Sequence, residues 1–207
     1  MKRYNLLVNS LPPDYIIHLI IVNDGSSRDL TNELNKIENT LPRTRYFSYS
    51  ENKGKGHALR TGFAASKSKF VMFTDYDFPY TTESMASLIQ LIFSTGSDAV
   101  IGIREESYYE TLPVRRRKIS KILRSLNRII LRLPTNDTQC GLKAFSERGR
   151  NVILETKTNR YLIDLEILKL ISRKNLKILT HTVYVRDNIS ASKISNLNLL
   201  NEFGSFL

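Results

Sequence analysis

Phe70-Val71-Met72-Phe73-Thr74-Asp75-Tyr76-Asp77 is an apolar run that stops at two carboxylates one residue apart. A short, aromatic and β-branched run of this kind predicts a strand over Phe70–Thr74, which delivers Asp75 and Asp77 to its carboxyl end. The pattern repeats on either side. Upstream, Ile16–Val22 predicts a buried strand closed by Asn23-Asp24-Gly25-Ser26-Ser27; downstream, Ala99–Ile103 predicts another, followed by Arg104. Tyr46–Tyr49 is a further strand, and Glu51–Gly56 is a polar, glycine-containing loop. Helices fill the gaps. One is capped by Ser27 or Asp29 and runs to about Asn39, with Leu30, Leu34 and Ile37 inward. The others cover His57–Ser66 and Thr82–Phe93. Alternation at these spacings predicts an α/β fold with a mostly parallel central sheet flanked by helices. The second half predicts a basic helix over about 114–133, helices near Arg148–Glu155 and Asp164–Ser172, and a strand Leu176–Val185. No repeat or low-complexity linker divides the 207 residues, which read as a single domain.

In such folds ligands sit beyond the carboxyl ends of the strands. Three polar clusters fall there: Asn23-Asp24-Gly25-Ser26, Asp75-Tyr76-Asp77 and Gly102-Ile103-Arg104. Two carboxylates at i and i+2 can share a divalent cation whose remaining ligands are water and phosphate oxygens. The same two residues can instead begin a turn or cap the helix near Thr82. A phosphatase of the haloacid dehalogenase type also carries Asp-x-Asp after a strand, but it wants Thr or Val where Pro79 stands. Asp24 can accept hydrogen bonds from an imide N–H or from hydroxyls; alternatively the segment is a turn, with Gly25 supplying the backbone angles. Glu51-Asn52-Lys53-Gly54-Lys55-Gly56 is a candidate phosphate-contacting loop without the spacing of a Walker loop.

Together these segments resemble the inverting family 2 glycosyltransferases, in particular dolichyl-phosphate glucosyltransferases and polyprenyl-phosphate mannose synthases. The likeness is carried by Ile21–Ser27, Asn52–Gly56, Phe73–Asp77 and Gly102–Arg104. It continues through Asp137-Thr138-Gln139-Cys140-Gly141-Leu142-Lys143-Ala144-Phe145, Asp164-Leu165-Glu166, Arg186 and Ser192-Lys193. The order matches, and the set spans Ile16 to Lys193. The resemblance implies a GT-A (Rossmann-like) fold and transfer of glucose or mannose from a nucleoside diphosphate sugar, UDP-glucose or GDP-mannose, to polyprenyl or dolichyl phosphate. It implies Mg²⁺ or Mn²⁺ at Asp75 and Asp77, and donor contacts from Asp24, Gly25, Lys53, Gly54 and Asp75. Asp77, Arg104, Arg117 and Arg186 are the expected catalytic residues, with Arg115, Arg116 and Lys193 at the acceptor. Asp164 and Glu166, two apart on a helix, point to different faces, so at most one faces the site. Two departures stand out. The family opens with a hydrophobic strand ending in a Tyr-Asn-like segment; only Met1-Lys2-Arg3 precedes Tyr4-Asn5, so the chain is expected to lack that first strand. Where relatives often place Gln, Pro79 removes one possible metal ligand. The alternative expectation is therefore a catalytically impaired remnant that binds nucleotide sugar or membrane.

The chain carries 31 Lys and Arg against 20 Asp and Glu, a formal net charge of +11. With 41% hydrophobic and 25% charged residues it has the composition of a folded domain, not of a disordered chain. Eight of the cations lie between Arg115 and Arg132 with no acid among them; the remaining 23 nearly balance the 20 acids. Ile119, Ile122, Leu123, Leu126, Ile129, Ile130 and Leu133 recur there at helical spacing. A basic amphipathic helix suits an anionic membrane surface; it also suits ordinary packing with a solvated face. It lacks the interleaved aromatics of a nucleic-acid surface, and no nucleic acid is expected as partner. The apolar runs are too short to span a bilayer. No signal peptide is expected, and the single Cys140 forms no internal disulfide. The expected location is cytoplasmic, peripheral to the cytosolic face of a membrane.

Overall fold

The computed structural model describes residues 2–26, 31–41, 43–110, 112–114, 117, 135, 137–160 and 162–187. Two strands, β1 (Leu19–Asp24) and β2 (Thr44–Tyr49), pair in parallel so that Asp24 stands opposite Tyr49 at their carboxyl ends. The others, β3 (Phe70–Phe73), β4 (Ala99–Arg104), β5 (Lys143–Ser146) and β6 (Ile178–Val183), form a four-stranded sheet in the order β3-β5-β4-β6. β4 and β6 are parallel, whereas β5 runs antiparallel to both its neighbours. The helices are α1 (Lys2–Asn9), α2 (Thr31–Thr40), α3 (Lys55–Ala65), α4 (Thr82–Thr95), α5 (Glu106–Glu110), α6 (Glu147–Leu154) and α7 (Ile163–Arg173).

Local chemistry accounts for the boundaries. The Thr81 hydroxyl accepts from the Ser84 backbone N–H at 3.2 Å to start α4, and Gly96, at φ 59°, ends it in the left-handed conformation that a helix C-cap favours. Ser146 caps α6 in the same way through the Gly149 N–H. Side chains of a strand alternate between its faces, and β5 divides its own accordingly. Leu142 and Ala144 pack with Met85, Leu88 and Ile92 of α4. Phe145 faces the other way, among Phe63, Phe73 and the apolar face of α7, namely Ile163, Ile167, Leu168 and Ile171. Lys143 lies two residues from Phe145, so this second face also receives a lysine.

Two features depart from the sequence reading. Tyr4-Asn5, matched above to the end of a strand, lies inside α1, where Tyr4 and Leu7 are buried and the helix packs on α4. β5 and α5 were not anticipated. The basic helix expected over 114–133 falls outside the described residues except for Val114 and Arg117, which are helical and exposed. Ser27, Asp29, Arg115, Arg116 and Lys193 also lie outside them. Among the described residues no helix is long and apolar enough to cross a membrane.

Candidate active site

The carboxyl end of β1 is tied to the start of α3. Asp24 accepts from the backbone N–H of Lys53 at 2.8 Å and of Gly54 at 2.9 Å, while the Asn52 side chain donates to its carbonyl at 2.9 Å. Its carboxylate therefore organises the 52–54 loop. Gly25 is required by this contact. Its φ is +65°, and a Cβ there would lie 2.3 Å from the Asn52 nitrogen. Lys53 directs its ammonium over the Tyr49 ring, 5.4 Å from the centroid. On the far side, Glu166 accepts from the backbone N–H of Lys157 and of Thr158, holding a loop whose Asn159 carbonyl accepts from Gly56 N–H at 2.7 Å.

Asp75 and Asp77 follow β3 in a tight turn closed by Phe78 N–H donating to the Asp75 carbonyl, with Phe78 itself at φ 49°. Both residues are exposed. Arg186, just past β6, donates from Nε to the Phe78 carbonyl at 2.7 Å and from Nη2 to the Asp77 carbonyl at 2.8 Å. Its guanidinium thus grips the backbone of the turn that presents Asp77. Gly141 closes the other side; a Cβ at that position would stand 2.6 Å from Asp75 Oδ2.

Beneath Asp75 lies an ionic cluster. Asp164, on the first turn of α7 and fully buried, receives Lys143 on Oδ1 at 2.5 Å and Lys55 on Oδ2 at 2.7 Å. Both ammonium groups also sit over the Phe73 ring. The paired lysines overcome burial and hold the Asp164 carboxyl below the usual carboxylate range. Asp75 moves the other way: desolvation raises it, Lys55 opposes, and the Asp164 and Asp77 charges raise it further.

Arg104, at the end of β4, is held by Asp137 in a bidentate pair, Nε to Oδ2 at 2.8 Å and Nη2 to Oδ1 at 2.6 Å. Its backbone N–H donates to the same carboxylate at 3.0 Å, and the Tyr108 and Tyr109 rings lie against its guanidinium. Burial is outweighed by Arg104, which holds the Asp137 carboxyl below the usual carboxylate range. Tyr80 completes the frame; its hydroxyl accepts from Gly141 N–H at 2.8 Å and contacts the Cys140 thiol.

Of the residues expected from sequence, Asp75, Asp77 and Arg186 come together, and Asp24, Gly25, Lys53 and Gly54 form the adjoining loop. Arg104 stands on the same edge with its guanidinium engaged by Asp137. Arg117 lies exposed and donates to the Glu110 carbonyl at 2.8 Å. Lys55 and Lys143 were not singled out. Lys55 has a signal in its place directly after Gly54; Lys143 lies inside the Asp137–Phe145 segment, but a lysine beside Ala-Phe reads as a surface position. The site fits a divalent cation. Asp75 and Asp77 supply hard oxygens one residue apart, and burial, followed by the Asp164 and Asp77 charges, raises the Asp75 carboxyl, a cost that a cation offsets. Among the described residues no three His, Cys, Asp or Glu side chains form a closed metal cage, so such a cation would take further ligands from water or phosphate.

Comparison with known proteins matches residues 4–151 to the model of glycosyl transferase family 2. The chain is 30% identical over 180 residues to the dolichyl-phosphate beta-glucosyltransferase of Saccharomyces cerevisiae, covering 77% of this chain and 54% of that protein. With the enzyme of the same name from Drosophila melanogaster the identity is 26% over 196 residues, covering 88% of this chain and 59% of that one. The chain thus spans a little over half the length of these relatives. Among solved structures, glucosyl-3-phosphoglycerate synthase from Mycobacterium tuberculosis, in complex with Mn²⁺, uridine diphosphate and glucosyl-3-phosphoglycerate, has a TM-score of 0.62. Its identity is 19%, and the match covers 98% of this chain and 70% of that one.

Proposed function

The chain belongs to the family 2 glycosyltransferases and has the GT-A fold, and from that premise we propose that it transfers a hexose with inversion from a nucleoside diphosphate sugar to polyprenyl or dolichyl phosphate. The donor is UDP-glucose or GDP-mannose, and the reaction is assisted by Mg²⁺ or Mn²⁺. The observation that carries this reading is the exposed Asp75–Asp77 turn, set at a strand end beside Lys55 and the Asp24-organised loop. Asp75 and Asp77 would hold the cation, which when bound draws charge from the departing diphosphate. Arg186 fixes the turn from behind, and Asp24 fixes the loop that faces the donor. Arg104 orients the 137–141 segment through Asp137. The acceptor's phosphate is already anionic near neutral pH. Its oxygen attacks the anomeric carbon as the bond to the diphosphate breaks, so positioning and charge neutralisation suffice without a strong base. Arg117, with Arg115, Arg116 and Lys193, supplies cations for that acceptor, and the basic segment 114–133 brings the protein to the cytosolic face of a membrane.

Turnover of UDP-glucose and GDP-mannose with polyprenyl phosphate and Mn²⁺ tests the reading. Asp77→Asn should abolish transfer while circular dichroism stays that of the parent; undiminished transfer would sink the metal assignment. A second reading, a remnant that binds nucleotide sugar without turnover, draws on the helical placement of Tyr4-Asn5. Calorimetric binding of donor with no product formed under any metal would favour it.

A further inference from the structure

The chemistry above gives no task to the buried cluster of Lys55, Asp164 and Lys143. A lysine in the central region of a sheet is unfavourable unless fully compensated, and an apolar pair of the same volume is often at least as stable. Lys143 stands opposite both Phe73 and Ile101 and is inaccessible to solvent, as is Asp164. What the cluster holds in place therefore matters more than what it adds to stability. Asp164 divides its two oxygens between two lysines. Lys143, buried and anchored as well on the Cys140 carbonyl, orients the carboxylate. Lys55 is the member that reaches the surface, with 25% of its side chain exposed. It is also the strongest cationic influence on Asp75. Lys53, the other lysine of this loop and one expected at the donor, directs its ammonium over the Tyr49 ring.

Charge arithmetic gives this placement a purpose. The carboxylates of Asp75, Asp77 and Asp164 against the two ammonium groups leave one net negative charge. A divalent cation converts it to one net positive charge, which suits a phosphate ligand. A free lysine side chain has a flexible four-carbon stem, and holding it in place beforehand lowers the entropy lost on binding. We propose that Asp164, aimed by Lys143, is a positioning residue that holds the Lys55 ammonium at the mouth of the site as a fixed counter-ion for phosphate oxygens of a ligand bound at Asp75 and Asp77. This rests on the function proposed for that edge.

The double variant Lys143→Met/Asp164→Asn removes both buried charges together, so neither is left unpaired. Two measurements on the full chain decide the matter. Without ligand, acetic anhydride labelling read by peptide mass spectrometry should modify Lys55 about tenfold more slowly than Lys53 in the parent, and at a similar rate in the double variant. In calorimetry with Mn²⁺ and UDP, the double variant should lose about tenfold in affinity, with little further loss on adding Lys55→Met. Equal labelling of the two lysines in the parent overturns the proposal. So does unchanged UDP affinity in the double variant, or a full additional loss from Lys55→Met. If the double variant does not fold, Lys55→Arg should keep the affinity that Lys55→Met loses, and equal loss in both overturns the counter-ion. Parent protein that binds Mn²⁺ with pyrophosphate but not with UDP defeats the nucleotide reading alone, and the same comparison then runs on pyrophosphate. Binding of neither overturns both.

Discussion

Replacing Gly141 by alanine should separate activity from stability. The added Cβ would stand 2.6 Å from Asp75 Oδ2 and 3.3 Å from its Cγ. Ordinary contact begins near 3.4 Å, so the oxygen must recede by about 0.8 Å, a van der Waals requirement that the steep repulsive wall enforces. The backbone of Gly141 cannot yield instead, because its N–H is bonded to the buried Tyr80 hydroxyl. The Asp75 side chain, which belongs to an exposed turn, gives way. Metal–ligand distances tolerate only about 0.2 Å, and a misplacement near 1 Å costs about a hundredfold in rate. Turnover with Mn²⁺ should therefore fall about tenfold to a hundredfold, since the displaced group is one of two expected metal ligands. Stability should change by less than about 1 kcal/mol, or a Tm shift within about 4 °C for a chain of this size. Gly56→Ala is the contrast. There the Cβ meets the Thr158 carbonyl oxygen at 2.1 Å and its carbon at 3.0 Å, both backbone. That variant should lose about 1–3 kcal/mol or more. Parental turnover in Gly141→Ala, or a Tm loss as large as that of Gly56→Ala, would refute the reasoning.

Other outcomes follow from the same contacts. Gly25→Ala combines a φ of +65° with a backbone clash at 2.3 Å, so the urea midpoint should report a loss of about 2–3 kcal/mol, and a change within about 0.5 kcal/mol would contradict it. Asp137→Asn strands the Arg104 guanidinium and should cost about 3–5 kcal/mol in the same assay, against no loss if the pair is idle. Asp137 and Asp164 are held below the usual carboxylate range, so their stabilisation is present above the unfolded value of about 3.9 and is lost as pH falls through their lower folded values. Asp75 has the opposite sign, since its raised value disfavours the fold near neutrality and the penalty fades as it protonates. Unfolding free energy of the parent should therefore drop below about pH 4, and the drop should be shallower in Asp137→Asn; identical slopes would argue against the assignment.

Much of the framework was readable one segment at a time. β1 to β4 and helices α2 to α4, α6 and α7 appear within a few residues of their expected places, because apolar runs and caps such as Thr81 and Gly96 are local signals. β5 was not readable. Lys143-Ala144-Phe145-Ser146 contains a lysine in a strand with neighbours on both sides, and its burial is made tolerable by Asp164, 21 residues away, together with the Cys140 carbonyl. α1 misled for a related reason. Tyr4-Asn5 carried a familiar dipeptide, but Tyr4 and Leu7 lie one helical turn apart and bury together within α1.

The sequence alone determined which chemistry is present. Asp24, Asp75, Asp77 and Arg104 follow apolar runs, and residues at strand ends meet at one edge whenever the strands share a direction. Tertiary structure decided how each group is used. It committed the Asp24 carboxylate to backbone amides, the Arg104 guanidinium to Asp137, and the Arg186 guanidinium to the carbonyls of the Asp77 turn. It also brought Lys55 and Lys143 onto Asp164, across 109 and 21 residues respectively. A charged side chain takes its partner from whatever the packed core places within about 3 Å. That distance is fixed by layers folding onto one another, and no spacing along the chain encodes it.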